Sequence, residues 1–162
     1  MRSMKRRPHV ILGVVAAILA LAAIAAPVAA ASPQSVVIVS HVTFNPNGPN
    51  YGDFATSGTA ANTGLICPSG TFIDIGLRVG GFESNRGTVQ VQVVKEFTCD
   101  DGSGTFIAKL QIQANFVTGI ESFTWVILDG TGDYASLRGA GGGSTVPTSV
   151  GNINTYEGFL LS

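Results

Sequence analysis

The stretch Trp125-Val-Ile-Leu-Asp-Gly-Thr-Gly-Asp-Tyr-Ala-Ser-Leu-Arg-Gly-Ala-Gly-Gly-Gly143 decides how the rest of the chain is read. Phe123, Trp125 and Ile127 alternate with Thr124 and Val126, the period of a strand with one large apolar face. Asp129-Gly130-Thr131-Gly132 then stops that strand. Glycine supplies the backbone freedom a tight reversal needs, and an aspartate bonds its own backbone two residues on. Tyr134 and Leu137 stand three apart, the spacing of a single helical turn. Gly141 to Gly143 let the chain bend or approach another backbone closely. Gly130-x-Gly132-x-x-Ala135 follows a strand as a dinucleotide fingerprint would. That fingerprint needs a long helix behind it, and Gly139 arrives too soon. The segment therefore reads as a strand-to-strand turn carrying a plug.

Working outward, the same two-residue period recurs. Ser35 to Phe44 is rich in β-branched residues and suits burial on both sides or a place in a closed sheet. Asn45-Pro-Asn-Gly-Pro-Asn50 is a loop. Phe54 to Ala60 is a weaker strand, and Thr71 to Val79 alternates with one slip near Asp74. Gly80 to Gly87 reads as a loop. In Thr88 to Cys99 the register places Lys95, Phe97 and Cys99 with Val89, Val91 and Val93, unless a bulge near Val93-Val94 switches the faces. Asp100-Asp-Gly-Ser-Gly104 is a hairpin turn. Thr105 to Phe116 sets Phe106, Ala108, Leu110, Ile112, Ala114 and Phe116 on one face. Ser144 to Val150, crossed by Pro147, and Tyr156 to Leu161 complete the set. About eight short strands and no long helix predict an all-β domain, a barrel or a β-sandwich. Phe106, Phe116, Phe123 and Trp125 are the expected core or cavity lining.

The chain opens on Arg2, Lys5, Arg6 and Arg7, continues uncharged from Val10 to Ala26, and offers Ala29-Ala30-Ala31 as a small-residue cleavage site. These are the three parts of a secretory signal peptide. Residues 1–31 are thus read as signal and 32–162 as one domain, secreted or otherwise extracytoplasmic. An uncleaved anchor is the alternative, although the apolar run falls short of the roughly 20 residues that span a bilayer. No stable membrane insertion is expected after cleavage. Without the signal, five basic residues face ten acids, a net charge near −5. Such a surface repels phosphates, which argues against nucleic acid as a partner. Cys67 and Cys99 are the only cysteines. In an oxidising compartment they are expected to pair, closing a loop that constrains the unfolded chain by about 3–4 kcal/mol. A reactive thiol with a resolver is the rival, but no histidine neighbours either cysteine in sequence.

Gly130-Thr-Gly-Asp-Tyr-Ala-Ser-Leu-Arg-Gly139 resembles the Gly-Thr-Gly-x-aromatic-x-x-x-Arg-Gly signature of dirigent proteins and related motifs of the allene oxide cyclase-type barrels. It is also similar to a group of small secreted bacterial proteins with a Gly-Thr-Gly-x-Tyr turn and no known activity. The resemblance implies a single antiparallel eight-stranded barrel with a hydrophobic cavity, a small hydrophobic ligand, and an oligomer. It also implies that acid and arginine groups at the cavity mouth polarise a bound phenolic molecule. Asp133, Tyr134 and Arg138 match that set, with Asp74 and Tyr156 as cavity neighbours. The alternative is that an Asp133–Arg138 pair staples the turn while Tyr134 and Leu137 plug the barrel end.

Other chemistry finds little support. His41 is the only histidine after the signal, so a zinc site lacks ligands. The acidic turns at Asp100-Asp101 and Asp129…Asp133 do not follow EF-hand spacing. No Gly-x-Ser-x-Gly elbow is present. No metal and no cofactor is expected. The functional reading is a ligand-binding or structural module, with a cyclase- or dirigent-like enzyme as the alternative.

Overall fold

The computed structural model describes residues 32–83, 87–115, 117–118 and 120–162. The signal segment over 1–31 and the core candidate Phe116 lie outside the described residues. The strands are β1 (Gln34–Thr43), β2 (Tyr51–Ser57), β3 (Ser69–Glu83), β4 (Thr88–Cys99), β5 (Thr105–Asn115), β6 (Ile120–Gly130), β7 (Arg138–Pro147) and β8 (Gly151–Leu161). A four-residue helix α1 (Thr59–Asn62) follows β2, and a single 3-10 turn spans Gly132–Tyr134. Each strand pairs antiparallel with its neighbour in sequence, and β8 returns to β1, so the sheet closes into an eight-stranded barrel. Closure decides between barrel and sandwich. It also explains β1: its inner residues Val36, Ile38 and Val42 pack into the core.

One end of the barrel is sealed. Gly58, at φ 95°, turns the chain out of β2 earlier than the expected strand end at Ala60. Ala60 and Ile66 then fold under the barrel and are buried. Cys67 is bonded to Cys99 at the end of β4, with the sulfurs 2.02 Å apart. On the other side of this end, the β4–β5 hairpin and the Gly-Thr-Gly turn interlock. Thr131 N–H donates to the Thr105 carbonyl at 2.8 Å, and Asp133 N–H donates to the Ser103 carbonyl at 2.9 Å. Gly132, at φ 58°, leaves no room for a side chain: a Cβ there would lie 2.2 Å from the Ser103 oxygen.

Inside, rings fill the space. Phe97 and Phe106 stack at 4.7 Å, with Phe54 edge-on to both. Tyr156 stands edge-on to Phe123 at 4.9 Å and to Trp125 at 6.3 Å. The core candidates Phe106, Phe123 and Trp125 are all buried.

The glycine run belongs to this packing. The expectation placed the seventh strand at 144–150, yet β7 begins at Arg138 and takes in all three glycines. A Cβ on Gly143 would come within 2.3 Å of the Phe123 ring, and one on Gly158 within 2.7 Å of Trp125. The missing side chains of β7 and β8 are the space the rings of β6 occupy. The strand period is still obeyed, but there is no apolar side chain to mark it.

The slip expected near Asp74 is a register shift between Asp74 and Gly76 in β3, with a second between Val79 and Phe82. β4 pairs with β5 without a break from Thr88 to Thr98. Lys95 therefore faces inward with Val93 and Phe97. β3 also runs on through the expected Gly80 loop to Glu83, because it keeps β4 as a partner.

Replacing Gly143 by alanine is expected to cost about 1–3 kcal/mol by overpacking. Gly81, where a Cβ meets nothing within 4 Å, should accept alanine within about 0.5 kcal/mol. Urea titration of the two variants checks both.

Candidate functional site

Above the aromatic layer the interior changes character. Strand alternation sets Ser40, Asn154 and Thr145 side by side on the inner face, in one row across β1, β8 and β7. Tyr156 lies two residues further along β8, on the same face. All four are buried, and Ser40 Oγ, Thr145 Oγ1, Asn154 Oδ1 and Tyr156 Oη make no hydrogen bond of full geometry, although Ser40 and Asn154 lie close to the Tyr156 hydroxyl and Thr145 close to Glu121. Each such group costs roughly 1–3 kcal/mol when left unmet. Four such groups on one wall make it the least satisfied part of the interior among the described residues.

An ion pair joins β3 and β4. Lys95 Nζ donates to Asp74 Oδ1 at 2.6 Å, and only 3% of the lysine side chain is exposed. Asn50, at the end of the Asn-Pro loop, donates to the other carboxylate oxygen at 3.1 Å. The ammonium also lies 4.3 Å from the centre of the Phe72 ring, within cation–π range. Asp74 occupies this place because the register shift in β3 begins just after it.

Protonation follows from burial. Desolvation lowers the Lys95 pKa below that of a free lysine, and the charge and hydrogen bond of Asp74 restore part of it. Burial pushes the Tyr156 phenol well above its ordinary value, so it stays a neutral donor. Ser40 and Asn154 beside it offset part of that shift, and the charge of Asp74 adds to it. Glu121, next to Thr145 across β6 and β7, is half-buried, and desolvation raises its pKa. Thr145 offsets part of the rise. The polar cluster thus gathers a phenol, two hydroxyls, an amide and a carboxyl of raised pKa.

The residues of the Gly-Thr-Gly turn are elsewhere. Asp133 and Arg138 sit at the sealed end, whereas the row of Ser40, Asn154 and Thr145 lies toward the end where β7 passes to β8. Both are exposed. Arg138 donates to the Leu137 carbonyl at 2.8 Å, and no ion pair joins it to Asp133. Tyr134 is buried, its hydroxyl 2.7 Å from Ser103 Oγ and its ring edge-on to Phe106. Leu137 is buried beside it. Of the residues singled out in the sequence, Tyr156 belongs to this polar cluster and Asp74 is paired with Lys95. Ser40, Thr145, Asn154 and Glu121 were not singled out. Each is an inward position by strand alternation, but only the pairing of β7, β8 and β1 makes them one group.

On the outside, Arg78, Gln92, Gln111 and Thr124 form a row across β3 to β6. They border a groove of 640 Å³ whose lining also takes in Val79, Val91, Ile112 and Phe123. Among the described residues no group of three His, Cys, Asp or Glu is gathered to hold a metal ion, and no helix is long and apolar enough to cross a membrane. No family model matches the chain, and no curated protein is similar to it.

Lys95→Met is expected to cost about 3–5 kcal/mol by stranding Asp74, and adding Asp74→Leu should recover most of that loss. The lowered lysine pKa also carries a signed pH effect. Between the folded pKa and the unfolded value of 10.5, the unfolded chain binds more protons. Stability should therefore rise with pH across that alkaline window. Urea midpoints taken as a function of pH should show this slope in the parent and lack it in the double variant.

Proposed function

We propose that the chain is a secreted binding module that takes a small molecule into the unsealed end of the barrel. The four buried polar atoms at Ser40, Thr145, Asn154 and Tyr156, none with a hydrogen bond of full geometry, carry this reading. A ligand that answers them bears a head group able both to accept and to donate, such as an alcohol, amide or phenol. Its remainder is apolar, because Val91 and Ile112 flank the interior above the core. The lower barrel is filled with rings, so the ligand is small and does not run the length of the interior. Secretion rests on the signal-like leader, and the disulfide is compatible with an oxidising compartment. The architecture is the one implied by the resemblance to allene oxide cyclase and dirigent barrels. The Asp133 and Arg138 of that resemblance stay outside the reading, because they lie at the sealed end.

A second reading has one observation in its favour. Glu121, with its raised pKa, neighbours Thr145, which shares the inner polar row with Asn154 beside the neutral phenol of Tyr156. A carboxyl whose pKa is raised by burial is a candidate general acid, which would make the module a cyclase-like enzyme on the same ligand.

The test is native mass spectrometry of the protein purified from its own secretory route, before and after denaturing extraction. A bound small molecule should appear in the first spectrum and be lost in the second. The triple variant Ser40→Ala, Asn154→Leu, Tyr156→Phe, shown to be folded by urea titration, should arrive bare. A bare parent, or a triple variant carrying the same molecule, rules the reading out.

A further inference from the structure

The two ends of the barrel show different chemistry to solvent. At the unsealed end the chain reverses between β1 and β2, between β5 and β6 and between β7 and β8. Each of these tips carries an exposed apolar side chain: Phe44 at 52%, Val117 at 79% and Val150 at 64%. Tyr51 and Ile73, opposite one another on β2 and β3, are exposed at the rung next to Phe44. The tip backbone is satisfied from within. Asn50 Oδ1 accepts from the Asn45 N–H at 3.1 Å, and Asn115 Oδ1 accepts from the Val117 and Thr118 N–H groups at 2.9 and 3.0 Å. Thr148 Oγ1 accepts from the Gly151 N–H at 3.0 Å. The Phe44 N–H donates to the Val150 carbonyl at 3.0 Å, which ties two of the tips together.

Charge is divided the opposite way. The exposed acids Asp100, Asp101, Asp129 and Asp133 stand on turns of the sealed end. Residues 44–50, 117–118 and 148–150 include no charged residue. Toward the unsealed end Asp74 is neutralised by Lys95, Asp53 lies 2.7 Å from His41, and Glu121 is half-buried. Glu83 ends β3, three residues before Arg86.

We propose that the unsealed rim docks on the surface of a lipid bilayer, with Phe44, Val117 and Val150 entering the boundary between head groups and acyl chains. These side chains sit on separate tips around an opening. A protein interface is built around a continuous packed core, whereas a fluid interface closes around each wedge by itself. Backbone N–H groups carried toward an apolar layer must keep internal partners, and those of the tips do. Tyr51 supplies the amphipathic ring that favours head-group depth. The uncharged tips suit a zwitterionic surface, and the acids of the sealed end point away from it. Such attachment rests on shallow burial of apolar area, so it is reversible and insensitive to salt. Ser40, Asn154 and Thr145 lie toward this same end, so docking sets the proposed binding site over a store of amphiphiles. The docking does not depend on that reading, because a barrel without ligand has the same rim. A rival apolar hollow lies at the sealed end, where Phe159 and Leu161 flank Arg138.

Flotation of the protein as secreted with phosphatidylcholine vesicles tests the proposal. The parent should float with the vesicles in low and high salt alike. The double variant Phe44→Ser, Val117→Ser should bind at least about tenfold more weakly, because two apolar wedges are lost, and should keep the urea midpoint of the parent. Phe159→Ser should float as the parent does. In Val117→Trp the added indole should shift its emission to the blue when vesicles are added, against the background of Trp125, which is already buried. A parent that stays with the aqueous phase, binding lost in high salt, undiminished binding of the double variant, a loss confined to Phe159→Ser, or an unshifted indole would each overturn the proposal.

Discussion

The ladder between β1 and β8 is the constraint on which the rest of the structure depends. It runs from the Gln34–Leu160 pair to the Thr43–Gly151 pair and joins the first strand of the domain to the last. Without it the sheet is open, and Ser40 and Asn154 lie on an ordinary solvated face. With it, the inner face of every strand shares one interior, and alternation becomes a rule about volume. The side chains on eight strands must fit a single cross-section. Large rings on β2 to β6 are therefore balanced by glycines on β7 and β8. A closed barrel of this size can be filled by its own side chains or left to hold a small ligand. Here it does the first at the sealed end and leaves polar groups unmet toward the other.

The two ends are built by different means. The sealed end relies on covalent and backbone ties: the disulfide, the short helix, and the two turns whose glycines admit each other's carbonyls. The other end relies on electrostatics and strand length. Asp74 and Lys95 neutralise one another beneath the mouth, and β3 continues past the end of its partner β2. The stiff end preserves the shape of the barrel, and the unmet hydrogen-bonding capacity and the free sheet edge both gather away from it. That division is common to binding proteins, in which a rigid scaffold positions a less satisfied rim.

Much of this was legible in the residues. The alternation of Phe106 to Ile112, the inward register of Lys95 and Phe97, and the slip at Asp74 all follow from a period of two, a property of the strand itself. The Gly-Thr-Gly turn was legible as a turn, and its aspartate and arginine drew attention as chemistry. In the structure they face solvent at the end opposite the unmet groups. A motif records what a turn needs locally. It does not say which end of a barrel that turn will occupy. The glycine run of β7 was the hardest to place, because a strand whose inner positions are glycine carries no apolar mark. Its reason lies in the rings of Phe123 and Trp125 on the neighbouring strand β6.

The sequence by itself determined that this is an all-β domain of about eight strands, and which residues of its clearly alternating strands share a face. These are short-range properties, set by the pleat, by turn chemistry and by composition. Only the tertiary structure decided that the sheet closes and that Ser40, Thr145 and Asn154 stand in one row beside Tyr156. It also decided that Asp74 meets Lys95 and that β3 outlasts β2. Each of these depends on the register between strands, and one pairing joins residues more than a hundred positions apart. No local pattern specifies such a register; it emerges when the hydrogen-bond ladders and the packing of the interior are satisfied together.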